Sequence, residues 1–78
     1  MAGFYKDLSD VAVTFDDGEV KTYRITAGVS ISTYLAQEAS RTGILNLWNK
    51  EHSVCIPVTR IREWSLSSVP IPEGEANG

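Results

Sequence analysis

One cysteine, Cys55, and one histidine, His52, leave this chain without two of the usual staples of a small fold. A lone cysteine cannot close an intrachain disulfide, a pattern that fits a reducing compartment. A structural zinc wants four ligands, and the His52-x-x-Cys55 pair supplies two. No apolar run approaches the roughly 20 residues needed to span a bilayer. The start, MAGFYKDLSD, has no apolar stretch of the kind that marks a secretory signal. The expected setting is therefore cytoplasmic, with no membrane contact.

Basic charge is also in short supply. Seven Lys and Arg face ten Asp and Glu, for a net charge of −3. Two of the acids, Glu73 and Glu75, belong to the C-terminal segment, so the chain to Val69 is nearly neutral. Sequence-independent nucleic-acid binding calls for a positive footprint, which the chain as a whole lacks. Catalytic and cofactor patterns are missing as well. Gly18 and Gly28 stand alone rather than in a phosphate-binding loop, and no paired carboxylates fall on one buried face. His52, three residues from Cys55 in a loop, is poorly placed as its base. The chain is read as non-enzymatic, with no cofactor and no metal.

What remains is a strand-rich pattern with one helix. Val11 to Phe15 (VAVTF) alternates as a half-buried strand does. Asp16-Asp17-Gly18 then turns into Glu19 to Thr26 (EVKTYRIT). A three-residue loop with Gly18 in the left-handed region pairs Phe15 with Glu19 and Val11 with Tyr23. That register keeps Val11, Val13, Phe15, Tyr23 and Ile25 on one face, whereas a one-residue slip would split them. The acids of this turn fail the spacing of a calcium loop, since the position for its closing glutamate is Arg24.

After Ala27-Gly28-Val29, a helix is predicted over about Ile31 to Arg41, capped by Ser30 or Ser32 and stopped at Gly43. Ile31, Leu35 and Ala39 form its apolar stripe, with Tyr34 alongside. Ile44 to Trp48 (ILNLW) and Ser53 to Val58 (SVCIPV) read as strands joined by the polar loop Asn49–His52. Pro57 has no amide hydrogen to give to a ladder, so it belongs at an edge, a bulge or a strand end. Cys55, between Val54 and Ile56, reads as a small apolar residue. Thr59-Arg60 is a turn, and Ile61 to Val69 (IREWSLSSV) is the last strand.

The predicted fold class is α+β: a small antiparallel sheet, built from a hairpin, one short helix and two or three further strands, with the helix on one face. Residues 1–69 make one domain, and 70–78 (PIPEGEANG) have the composition of a disordered tail. A 78-residue chain buries only about 60–65 % of its unfolded surface. Self-association or a protein partner is one way to make up that thin margin.

Four residues are the candidate contacts: Trp48, Arg60, Arg62 and Trp64. Arg and Trp are enriched at the energetic centres of protein interfaces. Strand alternation would put Arg62, Trp64 and Leu66 on one face, with Arg60 at the entry. The competing reading makes Trp64 and Leu66 core and has the arginines reach along the rim. If Leu45 and Leu47 are core, Trp48 lies on the outer face of its strand with Ile44, unless the curl of the sheet covers it. An alternative function uses Arg60, Arg62 and exposed aromatics to stack single-stranded nucleic acid.

In size and layout the chain resembles the small accessory proteins of tailed phages and prophages. The features carrying the likeness are MAGFYKDLSD, the DDG hairpin, the single helix, IPVTRIREWSL and PIPEGEANG, and they run the length of the chain. The resemblance implies a part in virion assembly or the inhibition of a host protein. It assigns no site residues.

Overall fold

The computed structural model describes residues 3–71. Five strands and one helix follow the order β1 (Phe4–Phe15), β2 (Val20–Ile25), α1 (Ser32–Thr42), β3 (Ile44–Trp48), β4 (Ser53–Pro57) and β5 (Ile61–Pro70). Short 3-10 turns precede α1, at Val29–Ile31, and β5, at Val58–Arg60. The helix packs against antiparallel sheets, as the α+β reading expects. No helix among the described residues is long and apolar enough to cross a membrane.

The first hairpin has the expected register. The Phe15 amide donates to the Glu19 carbonyl at 2.8 Å, Val11 pairs with Tyr23, and Gly18 sits at φ 91°. Val11, Val13 and Ile25 are fully buried, and Phe15 and Tyr23 pack partly buried beside them. A left-handed glycine lets the chain reverse in three residues without a Cβ penalty, so the apolar set stays on one face.

The strands divide into two sheets where one was expected. One has the order β2-β1-β5 and the other is the β3–β4 hairpin. They meet at a corner where the Thr26 amide donates to the Trp48 carbonyl at 3.1 Å. The division arises because the turn at Val58–Arg60 sends β5 back to pair with β1 rather than with β4. Between the sheets, Val11, Val13 and Ile25 face Leu45, Leu47 and Ile56, and Leu35 and Ala39 of α1 close the cluster.

β1 is longer than the alternation in VAVTF foretells, starting at Phe4. FYKDLSD does not alternate because the strand there is irregular. From Phe4 to Ser9, β1 takes five residue steps against two on β5, from Pro70 to Ser68. The excess bends β1 past the segment that leads to α1. Ser9, fully buried, donates its hydroxyl to the Ala27 carbonyl. Gly28 lies so close that a Cβ there would meet the Lys6 carbonyl oxygen.

The helix starts differently from the expected serine cap. Neither Ser30 nor Ser32 caps it; Gly28 leads into the 3-10 turn, and the Ile31 amide reaches the Gly28 carbonyl at 3.1 Å. A tightened first turn satisfies amides that a side chain would otherwise serve. The exit is as expected. Gly43, at φ 78°, donates its amide to the Ala39 carbonyl at 2.8 Å.

Pro57 ends β4, opposite Ile44, and the Val58 amide bonds to the Gly43 carbonyl just beyond it. β5 runs on through Pro70, which pairs with Phe4, and the Ile71 amide donates to the Gly3 carbonyl. The remainder of the expected tail, 72–78, lies outside the described residues.

Candidate protein-contact site

The structure separates the four candidate contact residues into three places. Arg60 and Arg62 meet at the Asp16 corner of the first hairpin. The Arg60 Nε donates to the Asp16 carboxylate at 3.3 Å, and the Arg62 Nη2 donates to the Asp16 carbonyl at 3.2 Å. The Asp16 amide in turn donates to the Arg60 carbonyl at 2.8 Å. Both arginines are exposed, yet their donors are partly committed to holding β5 against the hairpin loop.

Alternation does not carry Arg62 onto the face of Trp64. Thr14 pairs with Glu63 and Phe15 with Ile61, so β5 has one extra residue there, and Arg62 is that bulge. Trp64 and Leu66 pair instead with Val13 and Val11 and pack half-buried against the core. Removing the Asp16 carboxylate is expected to cost little. Asp16→Ala should lower the unfolding free energy by about 0–1 kcal/mol, the range for exposed ion pairs, as read from the urea midpoint. A loss above about 2 kcal/mol would give the corner more weight than an exposed pair carries.

Trp48, the last residue of β3 in the second sheet, meets the first sheet at its other end. Its carbonyl is bonded next to the Ile25–Ser9 rung, four residues along β1 from the rung of Trp64. At about 3.3 Å per residue that separates the two backbones by roughly 13 Å along the strand. The tryptophans do not share one patch.

Around Trp48 the hairpin does what its alternation implies. Leu45 and Leu47 are buried, so Ile44, Asn46 and Trp48 take the outer face, with Cys55 across from Asn46. Helix α1 lies along this hairpin and turns Tyr34 and Glu38 toward the same space. The result is a groove of about 260 Å³ whose apolar wall is Tyr34, Leu35, Ile44 and Trp48. Tyr34 is 51 % and Ile44 41 % exposed, while Trp48 is half-buried against the core.

The polar rim is set in part by the helix. Glu38 accepts two hydrogen bonds from Arg41, at 3.1 and 2.6 Å. Those bonds hold the Glu38 carboxyl below its ordinary range and push the Arg41 guanidinium up. Glu38 is thus a fixed, partly neutralised anion. Cys55 is exposed, its Sγ 3.6 Å from the Asn46 carboxamide oxygen, and is not the apolar filler its neighbours suggest. It pairs with Asn46 on the outward face, and that parity overrides local composition.

His52 belongs to a second groove, of about 220 Å³, on the side of Trp48 toward β2. Asn49 shapes that turn, its side-chain oxygen accepting from the amides of Glu51 and His52 at 2.8 and 3.0 Å. Among the described residues, no three His, Cys, Asp or Glu side chains cluster closely enough to hold a metal.

The groove's contribution from Tyr34 was missed by sequence reasoning, which set that residue beside the core stripe. Its signal was available in the i, i+4 spacing of Tyr34 and Glu38, which puts both on one face of the helix. Compared with protein-family models, with curated proteins and with solved structures, the chain matches none.

Proposed function

We propose that this chain is a non-enzymatic protein-binding module whose contact surface is the groove between α1 and the outer face of β3–β4. The observation that carries this reading is the trio Tyr34, Ile44 and Trp48. It consists of two large side chains left open and a half-buried tryptophan on the same outer face of β3 as Ile44. A half-buried tryptophan flanked by exposed apolar groups and a polar rim has the anatomy of an interface anchor. On this reading the chain acts by holding another protein, as a virion assembly part or an inhibitor of a host protein would. Those are the roles implied by its resemblance to the phage accessory proteins.

The alternative, nucleic-acid binding through Arg60 and Arg62, has less behind it. Both arginines spend donors on Asp16, and the aromatics are not gathered beside them.

Selection from a displayed random-peptide library tests the proposal, with the Tyr34→Ser/Ile44→Ser double variant as counter-selection. Both positions are substantially exposed, so the variant should stay folded. Expected are peptides with apolar anchors that bind the parent at least tenfold more tightly than the variant and shift the Trp48 indole resonance. Peptides that bind both equally would move the site elsewhere. Binding of a single-stranded oligonucleotide that weakens steeply with salt would replace the proposal with the alternative.

A further inference from the structure

We infer that the outer edge of β5 is a self-pairing surface, joining two copies of this chain into one continuous antiparallel sheet. This goes beyond the groove reading and uses none of the groove's residues.

The direction of the backbone groups follows from the hairpin. In an antiparallel ladder, alternate residues bond to opposite neighbours. The Phe15 amide bonds across to Glu19, so Val13, Val11 and Ser9 also address β2. Thr14, Ala12 and Asp10 then address β5, and bond to their partners Glu63, Ser65 and Ser67. Trp64, Leu66 and Ser68 are left with amide and carbonyl groups pointing away from the sheet. Among the described residues no strand lies beyond them, and the nearby 3-10 turn Val29–Ile31 makes no backbone hydrogen bond to them.

The other edges are guarded. β2 is six residues long, carries Lys21 and Arg24, and its exit is bonded to β3 through Thr26. β4 is five residues long and ends in Pro57. β3 has α1 packed against it. Charges, proline, short length and cover are the devices that keep edges from pairing. β5 has ten residues and no proline before its last position, and its charges and bulge, at Arg62 and Glu63, are confined to its first three positions, leaving Trp64 to Ser68 unguarded.

The side chains of β5 are also incompletely covered. Val11 and Val13 are fully buried on the central strand, while Leu66 and Trp64 on the same rungs remain half-buried. An added strand with apolar residues on that face would close the row. β5 itself has this pattern, with Trp64 and Leu66 inward and Glu63, Ser65 and Ser67 outward.

A two-fold antiparallel pairing centred on Ser65 matches the free backbone groups of Trp64 in one copy to those of Leu66 in the other, twice over. It also sets Glu63 opposite Ser67 and Arg62 opposite Ser68, so no like charges face each other. The small Ser65 pair falls at the axis, where two strands approach most closely. A second copy therefore satisfies both the backbone and the side-chain row, and it is the occupant the edge fits.

Both the solution mass and the register test this. Sedimentation equilibrium of the full chain should give a monomer–dimer equilibrium, and circular dichroism should find Ser65→Lys and Ser65→Glu folded. Each variant sets like charges face to face at the axis, and each should raise the dimer dissociation constant roughly fivefold. An equimolar mixture of the two should recover the parent affinity as a heterodimer. A parent that stays monomeric at all concentrations overturns the inference. So does a dimer indifferent to both variants, or one that forms only after residues 72–78 are removed, since the tail would then be the occupant. Tyr34→Ser/Ile44→Ser should leave the dimer unchanged, which keeps failure here distinct from failure at the groove.

Discussion

Leu45→Ala is expected to lower the unfolding free energy by about 2–5 kcal/mol, the range for emptying a fully packed site. Leu45 is 0 % exposed and pairs with Ile56 across the β3–β4 ladder. Its neighbours in the core come from α1 and from both sheets. Atoms held by three separate elements cannot all relax into the same gap, so little of the cavity would collapse. At roughly 0.05–0.15 kcal/mol per residue, a chain of this size has about 4–12 kcal/mol in total. The variant thus loses a large part of its margin. The urea midpoint should fall sharply while the slope stays unchanged. A loss below 1 kcal/mol would mean that the two-sheet packing around Leu45 is wrong.

Gly28→Ala is expected to cost about 1–3 kcal/mol, although its backbone would tolerate any residue. Gly28 has φ −73° and ψ 170°, ordinary extended values, so no dihedral strain is involved. The obstacle is the Lys6 carbonyl oxygen, 2.5 Å from where the new Cβ would sit. A carbonyl of the central strand cannot swing aside as the end of a side chain can. The segment at Ala27-Gly28 must back away from β1, and the nearby hydrogen bond from buried Ser9 to the Ala27 carbonyl would be stretched. Gly28→Ala and Ser9→Ala should therefore combine less than additively, because each already loosens the same contact. Full additivity in urea unfolding would show that the two act on separate contacts.

Much of the architecture was legible in the chain. The hairpin register could be read because only a three-residue turn keeps Val11, Val13, Phe15, Tyr23 and Ile25 together. The outer placement of Ile44 and Trp48 followed once Leu45 and Leu47 were taken as core. The helix stop at Gly43 is written in one residue. The seven residues from Phe4 to Asp10 were not legible, since their strand is held by Ser67–Pro70 and bent by a register shift rather than patterned by its own alternation. Arg62 misled for the same reason, because a single inserted residue resets the parity that sequence reasoning relies on.

Local chemistry determined where the turns fall, the strands apart from the Phe4–Asp10 arm of β1, and the apolar face of each strand where no bulge intervenes. Those features depend on neighbours within a few residues, whose periodicity and turn preferences act at short range. Tertiary structure alone decided that β5 returns to β1 and that the strands part into two sheets. It also decided that Tyr34 meets Trp48 across a groove and that the arginines turn toward Asp16. These depend on contacts between residues far apart in the chain, where packing and backbone hydrogen-bond satisfaction choose among several arrangements that local preference leaves equally open.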